Sequence, residues 1–268
     1  MLKEIKYIDI HGHVNFPNFD ADRETIIENA GKAGVAMITV GTDIATSTSA
    51  VQLATMHEQI WATIGVHPTD SKETIDFEAL ERLANHPKVV AIGECGLDYF
   101  HSQADEIPQQ KEVFEKHIVL AQKVGKPLML HVRNGKMAGS TSENGNAYQD
   151  ALQILKKYPN IKANFHFFAG TMSDLKDIID RGYSVSFTGV VTFTTDYDEL
   201  VKNVPISQMM SETDCPFVPP APYRGKRNEP AYVIETIKAI ARICSVEENI
   251  MAKQLLDNAK NFFSIHLG

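Results

Sequence analysis

Eight short apolar runs recur along the chain, and their order constrains the fold more than any other feature. They lie at 7–11 (YIDIH), 36–41 (AMITVG), 60–66 (IWATIGV), 89–93 (VVAIG), 127–132 (PLMLHV), 161–168 (IKANFHFF), 183–191 (YSVSFTGVV) and 206–211 (ISQMMS). Each has the length of a buried strand, and amphipathic segments separate them. The segment 22–33 ends at Gly34, 108–124 opens on Pro108 and closes at Gly125, and 172–181 ends at Gly182. Proline at a helix start and glycine just past its end are the expected boundary residues. After Asn228, the residues Val233, Ile237, Ile240, Ala241 and Cys244 follow a helical period, and a last helix is expected over 246–262. Strand and helix alternating eight times predicts parallel βαβ units, an α/β chain of (β/α)8 TIM-barrel type. No linker-like stretch divides residues 1–268, so a single domain is expected. A doubly wound open sheet is the alternative, but no glycine-rich phosphate loop follows the first run.

In such barrels the chemistry sits at the C-terminal ends of the strands. The polar residues fall there. Run one ends in His11 and His13, run three leads to His67, run four to Glu94 and Asp98, and run five to His131 and Arg133. Run six carries His166, and run eight ends in Glu212 and Asp214. His11 and His13 are two residues apart, so on a strand they share a face. Taken singly, each residue has an ordinary reading. His67 before Pro68 caps a turn, Glu94 pairs with a lysine, and His131 and His166 are core histidines. Together, four buried histidines and two carboxylates need a compensating charge. One or two divalent ions would satisfy them, and a nitrogen and oxygen donor set without sulfur suits Zn²⁺ or Mn²⁺, and Mg²⁺ less well. Asp9 shares a strand face with the two histidines, either to orient an imidazole or within a buried polar cluster.

The formal net charge of -8 excludes nucleic-acid binding by bulk electrostatics, although bound divalent ions still make an acidic pocket attractive to phosphate. Three scattered cysteines give no disulfide framework; Cys95 is expected in the core, while Cys215 is ambiguous. No signal-peptide core or membrane span is evident, so a cytoplasmic enzyme without a stable protein partner is expected.

The motifs D-I-H-G-H at 9–13, G-V-H-P at 65–68, G-E-C-G-L-D-Y at 93–99, H-V-R at 131–133, H-F-F-A-G at 166–170, E-T-D-C-P at 212–216 and P-Y-R-G-K-R-N-E-P at 222–230 occur in order along nearly the whole chain. In these the sequence resembles the TatD-like metal-dependent hydrolases, a branch of the amidohydrolase-type barrels. The resemblance implies phosphodiester hydrolysis, usually 3′→5′ exonuclease action on single-stranded DNA, with activity at abasic sites in some members. It implies that His11 and His13 hold one metal, Glu94 bridges two, His131 and His166 hold the second, and Asp214 completes the first and accepts a proton. It places His67 and Arg133 near the substrate phosphate. Tyr223, Arg224 and Arg227, on the loop after strand eight, are read as substrate contacts or as loop packing. Tyr99, Phe100 and Tyr223 are candidates for stacking on an end base or for packing. The sequence departs from many relatives in reading H-V-R for H-S-R and H-F-F-A-G for H-C-F-S-G, and neither change removes a ligand. The polar stretch 134–149 reads as a surface insertion or a lid. A small-molecule amidohydrolase, lactonase or phosphoesterase on the same barrel is the second reading, and a metal-dependent binding protein without turnover is the third.

Overall fold

The computed structural model describes residues 4–135 and 145–267. Eight parallel strands follow one another through a single sheet: β1 (Tyr7–Gly12), β2 (Val35–Val40), β3 (Ile60–Ile64), β4 (Val89–Asp98), β5 (Leu128–Arg133), β6 (Ala163–Phe165), β7 (Ser184–Phe187) and β8 (Met209–Ser211). The seam is joined just beyond β8. The His13 amide donates to the Cys215 carbonyl at 2.7 Å, and the Asp214 amide donates to the His11 carbonyl at 2.8 Å. The (β/α)8 expectation is met.

Nine α-helices lie among the described residues: α1 (Arg23–Ala33), α2 (Ile44–Met56), α3 (Phe77–Ala84), α4 (Ile107–Val124), α5 (Ala147–Leu155), α6 (Met172–Asp180), α7 (Asp198–Asn203), α8 (Val233–Cys244) and α9 (Glu248–Phe263). Parallel neighbours require such crossovers, and helices covering the sheet make its strands read as continuous apolar runs. Gly34 and Gly125 end α1 and α4 in the left-handed conformation, as their positions in the sequence predict. Alternate positions of β2 divide between two cores. Val35 and Met37 belong to the large cluster packed on the helices, and Ala36 and Ile38 join Ile8, Ile10, Trp61, Val90, Met129 and Met210 in a second one. Leu256 and Phe263 of α9 close that second core.

Several boundaries differ from those expected. Of the run 161–168 only Ala163–Phe165 is strand, so His166 stands just past its end. The run 183–191 stops as strand at Phe187, and Gly189–Thr192 form a 3-10 turn whose Val190 amide donates to the Thr188 hydroxyl. Ile206–Gln208, after Pro205, are likewise a 3-10 turn before β8. β4 continues past 93 to Asp98, because Gly96 lets it close on β5: a Cβ there would lie 2.1 Å from the His131 carbonyl oxygen. α8 begins at Val233 rather than after Asn228, whose side chain is occupied elsewhere. In the stretch 134–149, Asn146 accepts the Gln149 amide at 3.1 Å and starts α5, so 147–149 are helix. Residues 136–144 of that stretch, read as a surface insertion or a lid, lie outside the described residues.

Candidate active site

Five strand ends deliver six side chains to one cluster. β1 brings His11 and His13, β4 brings Glu94, β5 brings His131, and the segments after β6 and β8 bring His166 and Asp214. Glu94 stands at the centre. Its Oε2 lies 3.4 Å from His11 Nε2 and 3.7 Å from His13 Nε2. Its Oε1 lies 2.9 Å from His166 Nε2 and 3.0 Å from His131 Nδ1. Asp214 Oδ1 closes the first group, 3.5 Å from His13 Nε2 and 3.9 Å from His11 Nε2. The carboxylate of Glu94 is thus divided between two sets of donors.

The hydrogen bonds around the cluster fix which ring nitrogen faces inward. His13 Nδ1–H donates to the Val40 carbonyl at 3.1 Å, leaving the Nε2 lone pair toward Glu94 and Asp214. His131 Nε2–H donates to Asp98 Oδ2 at 3.0 Å, which turns Nδ1 to Glu94. Asp98 is held in turn by the Phe100 and His101 amides, both at 2.8 Å from its Oδ1. His166 Nδ1 lies 3.4 Å from Glu212 Oε1, and Glu212 is fully buried, accepting the Phe167 amide at 2.6 Å and the Ser186 hydroxyl at 2.7 Å. His11 and His13 bring their Nε2 atoms to 3.3 Å of each other.

Electron-rich atoms this close repel unless positive charge lies among them. Protons supply it when nothing else does. Burial opposes charge on His166, but Glu94 and Glu212 carry it well above the usual imidazole range. Burial likewise opposes the ionised form of Glu94, but His166, His11 and His67 draw it well below the usual carboxylate range. Divalent cations fit the same demand with these donors: His11, His13 and Asp214 form one set, and His11, Glu94 and His166 another, with ligand atoms within 4.8 Å of one another. His67, Asp98 and His131 also meet that distance. In that third set the His131 Nε2–Asp98 contact is the bond that orients the imidazole, so it supports the cluster rather than adding a site.

A family model for the TatD related DNases matches residues 8–264. The chain belongs to the TatD family. It is 36% identical over 265 residues to the Bacillus subtilis metal-dependent hydrolase YabD, covering 96% of this chain and 99% of that protein. It is 31% identical over 270 residues to a protein of Erwinia tasmaniensis named as the 3'-5' ssDNA/RNA exonuclease TatD, covering 96% and 99%. The crystal structure of the Escherichia coli TatD homologue YJJV superposes with a TM-score of 0.86 at 24% identity, over 97% of this chain and 99% of that one, and shows the same fold. The protein is a metal-dependent hydrolase of the TatD family, and none of its described helices is long and apolar enough to cross a membrane.

The other expected residues of this TatD chain are placed as follows. His67 borders the cluster, with Nε2 3.6 Å from Glu94 Oε1. Its Nδ1 accepts the Thr69 amide at 3.3 Å, so the proton resides on Nε2, and burial followed by the charge of His131 holds its pKa down at about 3. Arg133 ends β5 with its guanidinium 4.2 Å over the Phe100 ring. Tyr223 stacks on Tyr232 at 3.7 Å, and Arg224 lies 3.9 Å over Phe193 while donating to the Pro219 carbonyl. Arg227 pairs with both oxygens of Asp22, at 2.9 and 2.7 Å, and fastens the loop to the start of α1. Tyr99 is buried, its hydroxyl donating to Asp150 at 2.7 Å.

Asp9 does not turn to an imidazole. The pairing register slips between Asp9 and Gly12, and the Asp9 carboxylate accepts the Thr213 amide, the Thr213 hydroxyl and the His11 amide at 2.8, 2.5 and 3.3 Å. It is a buried strap across the seam. Gly12 is required beside it, since a Cβ there would meet Cys215 Sγ at 2.7 Å; both Cys95 and Cys215 are buried and free. Asn228 is a supporting residue the sequence did not single out for the site. Its Nδ2 donates to the carbonyls of Thr213, Phe217 and Val218 at 2.8, 2.6 and 3.2 Å, holding the turn on which Asp214 takes a φ of 56°.

Proposed function

We propose that this metal-dependent hydrolase is a nuclease that removes nucleotides from the 3′ end of single-stranded DNA. The observation that carries the reading is the division of Glu94 between two donor sets at the mouth of the barrel, a spacing for two divalent ions. The Erwinia relative named as a 3'-5' ssDNA/RNA exonuclease supports the substrate class. On this reading His11, His13 and Asp214 hold one ion, His131 and His166 hold the other, and Glu94 serves both. Zn²⁺ and Mn²⁺ suit the donors, Mg²⁺ less well. Such ions would supply Lewis acidity toward a phosphoryl oxygen and lower the pKa of a water molecule.

The side chains supply the rest. Burial raises the Asp214 pKa, but its bond to His13 and the charges of His11 and His166 outweigh this and keep it low. Asp214 is therefore ionised at neutral pH, its side chain still 14% exposed, and accepts the proton of the attacking water. His67 presents an Nε2–H donor to a non-bridging phosphate oxygen. Arg133, at the exposed end of β5, offers a fork that matches two such oxygens. Both are local contacts, so attraction to the phosphate is confined to the mouth despite the acidic chain, and nothing in them reads base edges. A protein of this composition and chemistry is expected to act in the cytoplasm.

The test is purified protein stripped with chelator, reloaded with Zn²⁺, Mn²⁺ or Mg²⁺, and given a 5′-labelled single-stranded oligonucleotide, with His131→Ala as control. A ladder shortening from the 3′ end, dependent on metal and absent in the variant, is expected. Metal-loaded protein that cuts no oligonucleotide would end the nuclease reading and direct assays to small carbonyl and phosphoester substrates.

A further inference from the structure

The loop between β8 and α8 carries an aromatic side chain that the fold does not need. Phe217 is 50% exposed, yet it stands three residues after Asp214. Its ring centroid is 6.2 Å from that of His13, with the planes at 67°. The other face of this environment is already packed, because Phe16 stacks on His13 at 4.4 Å. The Phe217 backbone is fixed at both ends. Its amide donates to the Asp214 carbonyl at 2.9 Å, and its carbonyl accepts from Asn228 Nδ2 at 2.6 Å. An exposed ring on an anchored backbone, in contact with the ring of a proposed ligand, is a preformed surface.

Among the described aromatic residues near the mouth, Phe217 is the most exposed, while Phe16, Phe167 and Tyr197 are half-buried. Tyr99 is buried, one face of Tyr223 is covered by Tyr232, and one face of Phe100 is covered by Arg133. Phe193 is exposed but lies under the guanidinium of Arg224. Met56, Val119, Met172 and Ile250, the other exposed large apolar residues among those described, all belong to helices of the outer ring.

Resting on the nuclease reading, we infer that Phe217 is the platform on which the nucleobase next to the cleaved phosphodiester stacks. Every base has a π-face, so such a contact positions the strand end without selecting a sequence. It gives an acidic protein a source of affinity that does not depend on basic residues. It also predicts that the enzyme distinguishes a strand end that carries a base from one that does not.

The experiment compares the metal-loaded wild type, Phe217→Ala and Phe217→Trp on two single-stranded oligonucleotides. One carries a normal 3′-terminal nucleotide, and the other carries a tetrahydrofuran residue without a base at that position. Phe217→Ala should lose about tenfold in kcat/KM on the base-bearing strand, mainly through KM, and be unchanged on the baseless one; Phe217→Trp should retain wild-type values on both. Equal losses on the two strands would show that the ring only packs the site, and no loss on the base-bearing strand would show that it contacts nothing; either overturns the inference while wild-type cleavage leaves the nuclease reading standing. A wild type that cuts neither strand removes the nuclease reading and, with it, this one.

Discussion

Asp98 Oδ2 lies 3.0 Å from His131 Nε2, on the side of the ring opposite the nitrogen that faces Glu94. The carboxylate thereby fixes both the tautomer and the direction of the imidazole. Asp98→Asn is expected to weaken metal binding at the proposed His131–His166 position by about 10- to 100-fold, since partners of metal-bound histidines contribute on that scale. Competition with a chromophoric chelator measures this directly. Binding at the His11–His13 position should change much less, because Asp98 does not contact those rings, and equal weakening at both positions would contradict this assignment.

Gly96 has a φ of +140° and would press a Cβ to 2.1 Å from the His131 carbonyl. Alanine there combines a disfavoured backbone conformation with a backbone clash. Gly96→Ala should lower the unfolding free energy by about 3 kcal/mol or more, read from urea titrations. A variant as stable as the wild type would show that β4 and β5 separate easily, against the close pairing seen.

His117 is fully buried and linked on both sides. Its Nδ1–H donates to the Val113 carbonyl at 2.8 Å, and its Nε2 accepts the Val66 amide at 3.0 Å. Burial pushes its pKa down to about 4. The unfolded chain takes up this proton near the ordinary value of about 6.5, so between those two pH values the unfolded state binds more protons than the native one. Stability from this residue is complete above about pH 6.5 and declines as the pH falls toward 4. Between pH 7 and pH 5 the loss should be about 2 kcal/mol. His117→Gln removes that component, and the difference between the two proteins' urea midpoints at pH 7 and pH 5 checks it.

Asn228 Nδ2 points its hydrogens at three backbone carbonyls of the 213–218 turn. Asn228→Ala should cost about 2 kcal/mol of stability by leaving buried acceptors unpaired. Asn228→Asp should be worse, because it directs a carboxylate oxygen at those same carbonyls. Hydrogen exchange should accelerate at the amides of Asp214 and Phe217 in both variants, and activity should fall with it, further for Asp than for Ala.

The strands, and the polar residues at their ends, were legible because burial on both faces leaves an uninterrupted apolar signature that stops where the mouth begins. Thus position put His11, His13, Glu94, His131, His166 and Asp214 among the residues at the mouth, the family resemblance singled them out, and the structure brings all six together. What escaped depends on partners far away in sequence. α2 is rich in threonine, serine and alanine, has little amphipathic pattern, and is announced mainly by the Asp43–Thr46 capping box. The three-residue β6 is shorter than its apolar run because pairing stops where His166 must turn inward. For Asp9, strict alternation left an imidazole partner and a buried polar cluster equally open, and the register slip before Gly12 puts it in the cluster with Thr213. Asn228 read as a helix start, since nothing local reveals that its amide is taken by carbonyls some ten to fifteen residues earlier.

The closure of the seam has a consequence for the order in which this protein can become active. His11 and His13 come at the end of the first strand, while Asp214 follows the last, and the backbones of the two are joined by hydrogen bonds of Cys215 and Asp214. A chain still emerging from the ribosome, with residue 214 not yet released, carries His11, His13, Glu94, His131 and His166 but neither Asp214 nor the backbone that joins the seam. The cluster is therefore incomplete until the last strand has docked on the first. The complete donor set arrives only after synthesis has passed the last strand, so a growing chain is shielded from acting as a hydrolase before it has finished folding.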